Sequence, residues 1–176
     1  MTDHEIVVVA NDLQIPFHDI RAVNLFLKFV KDIQPDKVIL AGDVLDFYEL
    51  SDFSRDPLTP ASFDTEIEQT RTFLLDLRQK CKKAKIEFLE GNHEFRLKTY
   101  LFKNSSRLAG SKIFRDAINV PQLLKLSELN IEYIPVQVGT GRWASVYTKV
   151  GDLYVGHFNA VKSWGGMTAK GLVDKL

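Results

Sequence analysis

The sequence of 176 residues predicts an α/β fold, and three observations support that class. Short β-branched apolar runs alternate with longer segments whose apolar residues recur every three or four positions, which are the periods of strands and helices. The first five segments follow the order β-α-β-α-β, which is typical of a parallel sheet covered by helices. Polar clusters follow the predicted strands, where α/β sheets bind their ligands.

Composition narrows the class of protein. Hydrophobic residues make up 45% and charged residues 26%, as in globular domains, and a single cysteine excludes an internal disulfide and indicates a reducing compartment. The 23 basic and 23 acidic residues cancel, so net charge gives no support for binding nucleic acid or an anionic membrane. The apolar run Ile6–Ala10 is too short for a signal peptide or a membrane span. We therefore expect a cytoplasmic protein without membrane contact.

The first strand, helix and second strand are predicted over residues 6–41. Ile6–Val9 is a β-branched run typical of a strand buried on both faces. Asp19 is expected to cap a helix whose apolar positions start at Ile20, and Pro35 ends that helix. Lys37–Ala41 is the second buried strand.

A second helix and a third strand follow. Thr59-Pro60 predicts the helix start, with Thr as N-cap, and the apolar positions that follow include Cys81, interpreted as a buried core thiol. The basic residues that follow are interpreted as cations favouring the helix C-terminus rather than as a nucleic-acid patch; they are Lys80, Lys82, Lys83 and Lys85. Lys85–Leu89 is the third strand.

The second half is predicted to be helical from Phe95 to Leu129, followed by a strand over Ile131–Val138. Trp143–Lys149 and Leu153–His157 flank a turn signal and predict a hairpin. A further helical pattern runs from Gly165 to Leu176. Since no repeat or linker is evident, residues 1–176 are expected to form a single domain.

Four polar clusters carry the chemistry of the sequence. They are Asp12-Leu13-Gln14, Gly42-Asp43-Val44-Leu45-Asp46, Gly91-Asn92-His93-Glu94 and Gly156-His157. Carboxylate, amide and imidazole groups without thiolates suit a divalent ion such as Mn, Fe, Zn or Ni. Each cluster alone is weakly informative, but their order at successive strand ends predicts one shared metal site.

With these clusters the chain resembles the calcineurin-like metallophosphoesterase superfamily, especially its small bacterial and bacteriophage members. The resemblance implies a four-layer α-β-β-α sandwich of two mixed sheets, with two divalent metal ions, Mn foremost, at the strand ends. It also implies hydrolysis of phosphomonoesters or phosphodiesters by in-line attack of a metal-bound hydroxide. For a bacteriophage-encoded member, the compartment would be the host cytoplasm.

The resemblance implies a role for each motif residue. Asp12 would bind the first metal with support from Gln14, Asp43 would bridge both ions, and the second metal would be held by Asn92 and His157.

The resemblance also implies that His93 acts on the scissile phosphate as general acid or stabiliser, with Asp46 orienting it. Glu94 is expected to support these groups from behind, although a solvated acid stays open. Further candidates for substrate contact are His18, Arg96, Tyr48 and Arg55. A helix start, a salt bridge and ordinary loop positions are the structural alternatives for these four side chains.

Two departures from the family pattern affect the metal site. Gln14 stands where the family usually has His, and an amide oxygen is a weaker ligand than imidazole. The closing Gly-His-x-His motif is absent, and Leu176 lies 19 residues after His157. Truncation before that motif is the favoured explanation. Completion of the site from another chain, or a natural short form with a weakly metallated centre, are the alternatives.

The sequence thus favours a metal-dependent phosphoesterase acting on a small phosphoester or nucleotide. The first alternative is a non-catalytic binding or assembly module that keeps the fold with an incomplete metal site. The second is a metal-dependent nuclease, which is less favoured because the balanced charge gives no sign of a positive groove. The sequence does not indicate the oligomeric state.

Overall fold

The computed structural model describes residues 4–52, 56, 58–59, 62–136 and 145–158. A parallel sheet has the order β1-β2-β3-β4, and its strands are Val7–Ala10, Lys37–Leu40, Lys85–Leu89 and Ile131–Ile134. An antiparallel hairpin consists of β5 (Val146–Val150) and β6 (Leu153–His157). The helices α1 to α6 are Ile20–Ile33, Phe63–Lys80, Asn92–Asn104, Ser106–Ala109, Lys112–Ala117 and Val120–Leu124. The predicted α/β class is confirmed.

Strand burial separates the centre of the sheet from its edge. All four residues of β2 are buried, and so are the last four of β3. The expectation that the first strand is buried on both faces is wrong, because Val9 is 45% exposed and Val7 is only half-buried. Within the described sheet β1 is an edge strand with β2 as its neighbour, so its outer side is uncovered.

Helix α1 forms where its cap and apolar stripe predict. The Asp19 carboxylate accepts hydrogen bonds from the backbone N–H groups of Arg21 and Ala22, which satisfies two donors of the first turn. The stripe buries Val23, Leu27 and Val30, and burying each such side chain contributes roughly 1.5–3 kcal/mol. Gln34 ends the helix in the left-handed conformation.

Helix α2 begins later than predicted. Ser62, and not Thr59, is the N-cap, because the Ser62 hydroxyl accepts from the Thr65 N–H while the Thr59 N–H donates to Asp56 in a preceding turn. Cys81 follows the helix and is buried, as expected, and its thiol donates to the Leu77 carbonyl.

The later elements match the prediction where the structure describes them. Four helices occupy the stretch predicted to be helical, and the hairpin turns through Gly151 at φ +55°. Val138, Trp143 and the helical pattern of residues 165–176 lie outside the described residues. Among the helices of the described part, none combines the length and apolarity needed to cross a bilayer.

The hairpin packs on the parallel sheet through a second, smaller core. Its buried members are Ile39, Ala41, Leu89, Val136 and Val146. Beside this core a buried ion pair joins Lys37 Nζ of β2 to Glu87 Oε1 of β3 at 2.8 Å. Burial alone would raise the pKa of Glu87, but hydrogen bonds from Lys37 and Lys85 outweigh it and leave that pKa below its ordinary value.

Candidate metal centre

The loops after β1 and β2 run side by side at the carboxyl edge of the sheet. The Asp12 N–H donates to the Gly42 carbonyl at 3.1 Å, and the Gln14 N–H donates to the Asp43 carbonyl at 2.9 Å. Further along, the Ile15 N–H donates to the Val44 carbonyl at 2.9 Å. These backbone bonds bring the first two sequence clusters together.

The backbone at this edge is strained. Asp12, Gln14 and Asp43 have φ values of 53°, 50° and 53°, a left-handed region that costs roughly 1–3 kcal/mol per non-glycine residue. Such strain clusters at functional sites because the surrounding structure holds it in place.

Gly42 has φ +89°, and its place in the fold leaves no room for a side chain. A Cβ atom there would lie 2.8 Å from Cγ of His157 and 2.9 Å from Cα of Gly91. The glycine therefore allows the β2 loop, the β3 loop and the end of the hairpin to meet at one point.

A buried carboxylate, Glu94, holds the second and third clusters together. Its Oε2 accepts from the N–H groups of Asp43 at 2.9 Å and Gly91 at 2.8 Å. Its Oε1 accepts from Val44 at 2.8 Å and Leu45 at 3.0 Å. Burial, aided by the Asp43 charge, raises the pKa of Glu94 to about 7 despite these donors. Glu94 is thus a buried support for the two loops and not a solvated acid.

Three side chains converge where the first, second and fourth clusters meet. Asp12, Asp43 and His157 each offer a ligand atom, and these atoms lie within 4.8 Å of one another. The Ala41 carbonyl lies 2.9 Å from His157 Nδ1 and can only accept, so Nδ1 carries a proton. His157 Nε2 then faces Asn92 Oδ1 at 2.9 Å and Asp43 Oδ2 at 3.4 Å.

Asp43 and His157 each stabilise the charged form of the other. Burial alone would raise the pKa of Asp43, but hydrogen bonds from His157 and from the His93 N–H outweigh it and leave that pKa below its ordinary value. Burial would lower the pKa of His157, and the hydrogen bond to Asp43 outweighs it, so that pKa lies above its ordinary value. The site favours an ionised Asp43 next to a positive charge.

His93 lies beside this group, where Arg96 hydrogen-bonds its ring and Asp46 lies close to it. Arg96 Nη2 lies 3.0 Å from His93 Nε2 and can only donate, which assigns the imidazole proton to Nδ1. Nδ1 faces Asp46 Oδ2 at 3.4 Å, and Nε2 lies 3.7 Å from Asp43 Oδ2. Arg96 Nη1 also donates to the Asp46 carbonyl at 2.7 Å. The same nitrogen lies 3.3 Å from Asp46 Oδ1, so the structural alternative for Arg96, a salt bridge, is present, and the guanidinium also contacts His93.

Comparison with known proteins agrees with this geometry. The sequence model of the calcineurin-like phosphoesterase family matches residues 6–166. The chain belongs to the calcineurin-like phosphoesterase family. It is also similar to the Gene 54 proteins of Mycobacterium phages D29 and L5, with 26% identity over 165 and 168 residues. Each match covers 92% of this chain and 63% of the relative, so the chain spans less than two thirds of these relatives.

Membership in the calcineurin-like phosphoesterase family implies divalent metal ions, and the donor set fits them. Two carboxylates, an amide oxygen and an imidazole nitrogen are the ligands that Mn, Fe, Zn or Ni accept in proteins. Of the predicted ligands, Asp12, Asp43, Asn92 and His157 lie together. Gln14 is fixed at the same edge through its backbone bond to Asp43.

Two of the candidate substrate residues, His18 and Tyr48, follow the first and second clusters in the chain. The Tyr48 hydroxyl accepts from the Asp56 N–H at 2.7 Å, and its ring meets Phe17 edge-on at 5.4 Å. His18 is half-buried, and its Nδ1 has no hydrogen-bond partner among the described residues. Asp19, and not His18, provides the helix cap. Arg55 lies outside the described residues.

Sequence reasoning missed Glu66. This buried side chain on α2 accepts from the Phe47 N–H, directly after Asp46, and burial raises its pKa to about 7. The available signal was its position, since Glu66 follows Phe63 by three residues and therefore lies on the apolar face of the helix. An acid on a buried helix face needs a partner, and here the partner is the loop that carries Asp46.

Proposed function

We propose that this chain is a metal-dependent phosphoesterase whose centre lies at the carboxyl edge of the parallel sheet. The observation that carries the proposal is the convergence of Asp12, Asp43 and His157 within 4.8 Å, in a member of the calcineurin-like phosphoesterase family. Four separate segments of the chain supply these groups and the adjacent Asn92, and backbone hydrogen bonds fix their loops.

In this proposal Asp12 would hold one divalent ion with support from Gln14, and Asp43 would help to hold both ions. Asn92 Oδ1 and His157 Nε2 hold the second ion, because Nδ1 of that histidine is occupied by the Ala41 carbonyl. Mn is our first assignment, and Fe, Zn and Ni suit the same donors. When bound, such ions polarise phosphoryl oxygens and activate water near neutral pH.

His93 and Arg96 act on the phosphate in this proposal. Both side chains lie within hydrogen-bond reach of each other, and His93 Nε2 lies 3.7 Å from the bridging carboxylate. A phosphate placed there would receive hydrogen bonds from the Arg96 guanidinium and, in the imidazolium form that also carries a proton on Nε2, from His93. Such charge-assisted bonds stabilise developing negative charge. Asp46 is a positioning residue, since it faces Nδ1 of His93 and accepts from Arg96.

The substrate class we assign is a small nucleotide or other small phosphoester. The protein carries no net charge, which suits a small substrate better than a long polyanion in the same centre. Phe17 and Tyr48 place two aromatic rings on the loops that follow Gln14 and Asp46, where a nucleobase can stack.

The test is hydrolysis of p-nitrophenyl phosphate and its bis-ester by the product of the complete open reading frame, with Mn²⁺, Fe²⁺, Zn²⁺ or Ni²⁺ added. We expect metal-dependent turnover that falls by roughly 100-fold or more in Asp43→Asn and in His93→Ala. The matched control is Asp152→Asn, which removes an exposed carboxylate at the hairpin turn and is expected to retain full activity. Absence of turnover with all four metals contradicts the proposal.

A second candidate function is a non-catalytic module that keeps the fold. The observation in its favour is Gln14, whose amide oxygen is a weaker metal ligand than an imidazole nitrogen. Such a module would bind no divalent ion at this edge, or would bind one without hydrolysing phosphoesters. Metal analysis of the purified protein, made beside the hydrolysis assay, separates the two functions.

A further inference from the structure

A group of lysines lines an open groove at the edge of the sheet opposite the metal centre. Helices α1 and α2 end there, immediately before β2 and β3 begin, whereas the predicted metal ligands follow the strands. The groove has a volume of about 720 Å³, and we call it the lysine groove. Its lining residues are Lys31, Gln34, Gln79, Lys80, Lys82 and Lys83.

The four lysines of the lysine groove make no ion pair with any residue that the structure describes. Other lysines do pair: Lys85 bridges Glu87 and Glu132, for example, and Lys98 pairs with Glu90. Four lysines therefore share one concave surface, and two of them, Lys31 and Lys80, also line the adjoining depression that contains acidic side chains.

The helix ends do not need these charges. Gln34 Nε2 donates to the carbonyls of Lys31 at 2.6 Å and Lys80 at 2.8 Å, so it ties the ends of α1 and α2 together. Arg78 donates to the carbonyls of Cys81 and Ala84 at 3.2 and 2.8 Å. Lysine side chains near a helix C-terminus can donate to its last carbonyl groups. Here Gln34 and Arg78 already donate to carbonyl groups at these two helix ends. The ammonium groups remain available to an external anion.

We propose that the lysine groove binds the phosphate backbone of a nucleic acid. Flexible ammonium groups neutralise successive phosphates without reading sequence, and the groove offers several of them side by side. A protein partner is disfavoured, because protein interfaces depend on buried aromatic or aliphatic anchors and the lining side chains here are lysine and glutamine. Asp32 and Asp76 lie in the adjoining depression and limit the site on that side.

This binding is separate from the proposed hydrolysis. The groove precedes β2 and β3, and the metal centre follows them, so a substitution in the groove leaves the catalytic loops unchanged. A nucleic acid held here would keep the protein near its site of action whatever phosphoester it hydrolyses.

The experiment measures fluorescence anisotropy of a labelled DNA duplex of about 20 base pairs, and of its single strand, as the 176-residue chain is added at several salt concentrations. The test variant is Lys82→Gln/Lys83→Gln, and the matched control is Lys112→Gln/Lys125→Gln, which removes two exposed lysines elsewhere. For the duplex we expect the slope of log K against log salt to fall by about 1.8 in the test variant, with roughly tenfold or greater loss of affinity. The control is expected to bind like the wild type.

Three results would overturn the proposal: equal weakening in both double variants, no binding to either DNA at about 50 mM salt, or polyglutamate of equal charge competing as well as DNA. The last result would identify an acidic protein as the partner. Circular dichroism verifies that both variants are folded. Hydrolysis of p-nitrophenyl phosphate is expected to be unchanged in both variants, so a failed binding test and a failed phosphoesterase assay are distinguishable.

Discussion

At the scale of single residues, Glu94 holds together the loops that carry the predicted metal ligands Asp43 and Asn92. Its two oxygens accept four backbone N–H bonds from the loops after β2 and β3, and the side chain is fully buried. A hydrogen bond to a charged group contributes about 1.5–3 kcal/mol. The same carboxylate fixes the backbone of Asp43 and of Gly91, which precedes Asn92.

We expect Glu94→Gln to lower the free energy of unfolding by about 2–4 kcal/mol, because a glutamine NH₂ group would face two N–H donors that the carboxylate now satisfies. Urea unfolding measures the change, and Glu128→Gln, at an exposed position, is the control. Equal unfolding free energies for Glu94→Gln and the wild type would show that the four bonds do not hold the loops.

A second residue-scale prediction concerns Glu66, whose pKa is raised by burial to about 7 from an ordinary 4.5. A carboxyl with a higher pKa in the folded state takes up protons on folding, so it destabilises the protein as pH rises from about 4.5 to about 7. Above about pH 7 this loss amounts to roughly 3 kcal/mol of unfolding free energy. Unfolding free energies of Glu66→Gln, measured from pH 4.5 to 7.5, are expected to fall less with pH than those of the wild type.

Subtracting one pH profile from the other removes the contributions of Asp43, Glu94 and His157, which both proteins share. If the two profiles have the same slope, Glu66 keeps an ordinary pKa in the folded protein and the prediction is wrong.

The residues of the centre differ in how far sequence could predict them. Asp12, Asp43, Asn92 and His157 stand in motifs at strand ends, and the structure places them together. The bonds of Glu94 and Glu66 join residues up to 51 and 19 positions apart, and they go to backbone N–H groups that carry no side-chain signature. Only the folded loops reveal them.

At the scale of elements, the β5–β6 hairpin places His157 against Gly42. Gly156 of β6 pairs with Tyr147 of β5, and a Cβ at this glycine would come within 2.7 Å of Cβ of Tyr147. The backbone would have to shift next to His157. The hairpin itself was predictable from its turn and alternating apolar residues, whereas its packing on the sheet depends on a core whose other members, such as Ile39 and Leu89, are distant in the sequence.

We therefore expect Gly156→Ala to weaken Mn²⁺ binding by roughly 10–100-fold, as other changes to groups that orient a ligand do. The control is Gly151→Asn, in the same hairpin, where a side chain meets no atom within 4 Å and asparagine tolerates the positive φ. Calorimetric titration of both variants gives the affinities. Wild-type affinity in Gly156→Ala would mean that the hairpin does not set the position of His157.

At this scale the sequence did not determine which residue caps the start of α2. Thr59 and Ser62 are both hydroxyl residues suited to an N-cap, and Pro60 favoured the first. The structure selects Ser62, whose hydroxyl reaches the Thr65 N–H and thereby sets the first turn that carries Glu66. At this helix start the Phe63 N–H also donates to Glu49 Oε2 at 2.8 Å, a contact between distant segments that local propensity does not reveal.

At the scale of the whole molecule, the sheet separates two polar surfaces. Its carboxyl edge carries the candidate metal centre, and its amino edge carries the lysine groove. The net charge of zero did not predict the groove, because the charges of acidic residues elsewhere cancel those of its lysines in the sum. The α/β class was predictable from the alternation of strands and helices, but the grouping of charges depends on which helix ends lie side by side.

The most direct test of the central claim is a calorimetric titration of Mn²⁺ into the 176-residue chain and into Asp43→Asn. Asp43 is buried between His93 and His157, so the account predicts that the wild type binds Mn²⁺ and that Asp43→Asn loses at least about 100-fold in affinity. Asp152→Asn, at the exposed turn, is expected to bind like the wild type. Equal Mn²⁺ affinity in Asp43→Asn and the wild type would contradict the assignment of this edge as the metal centre.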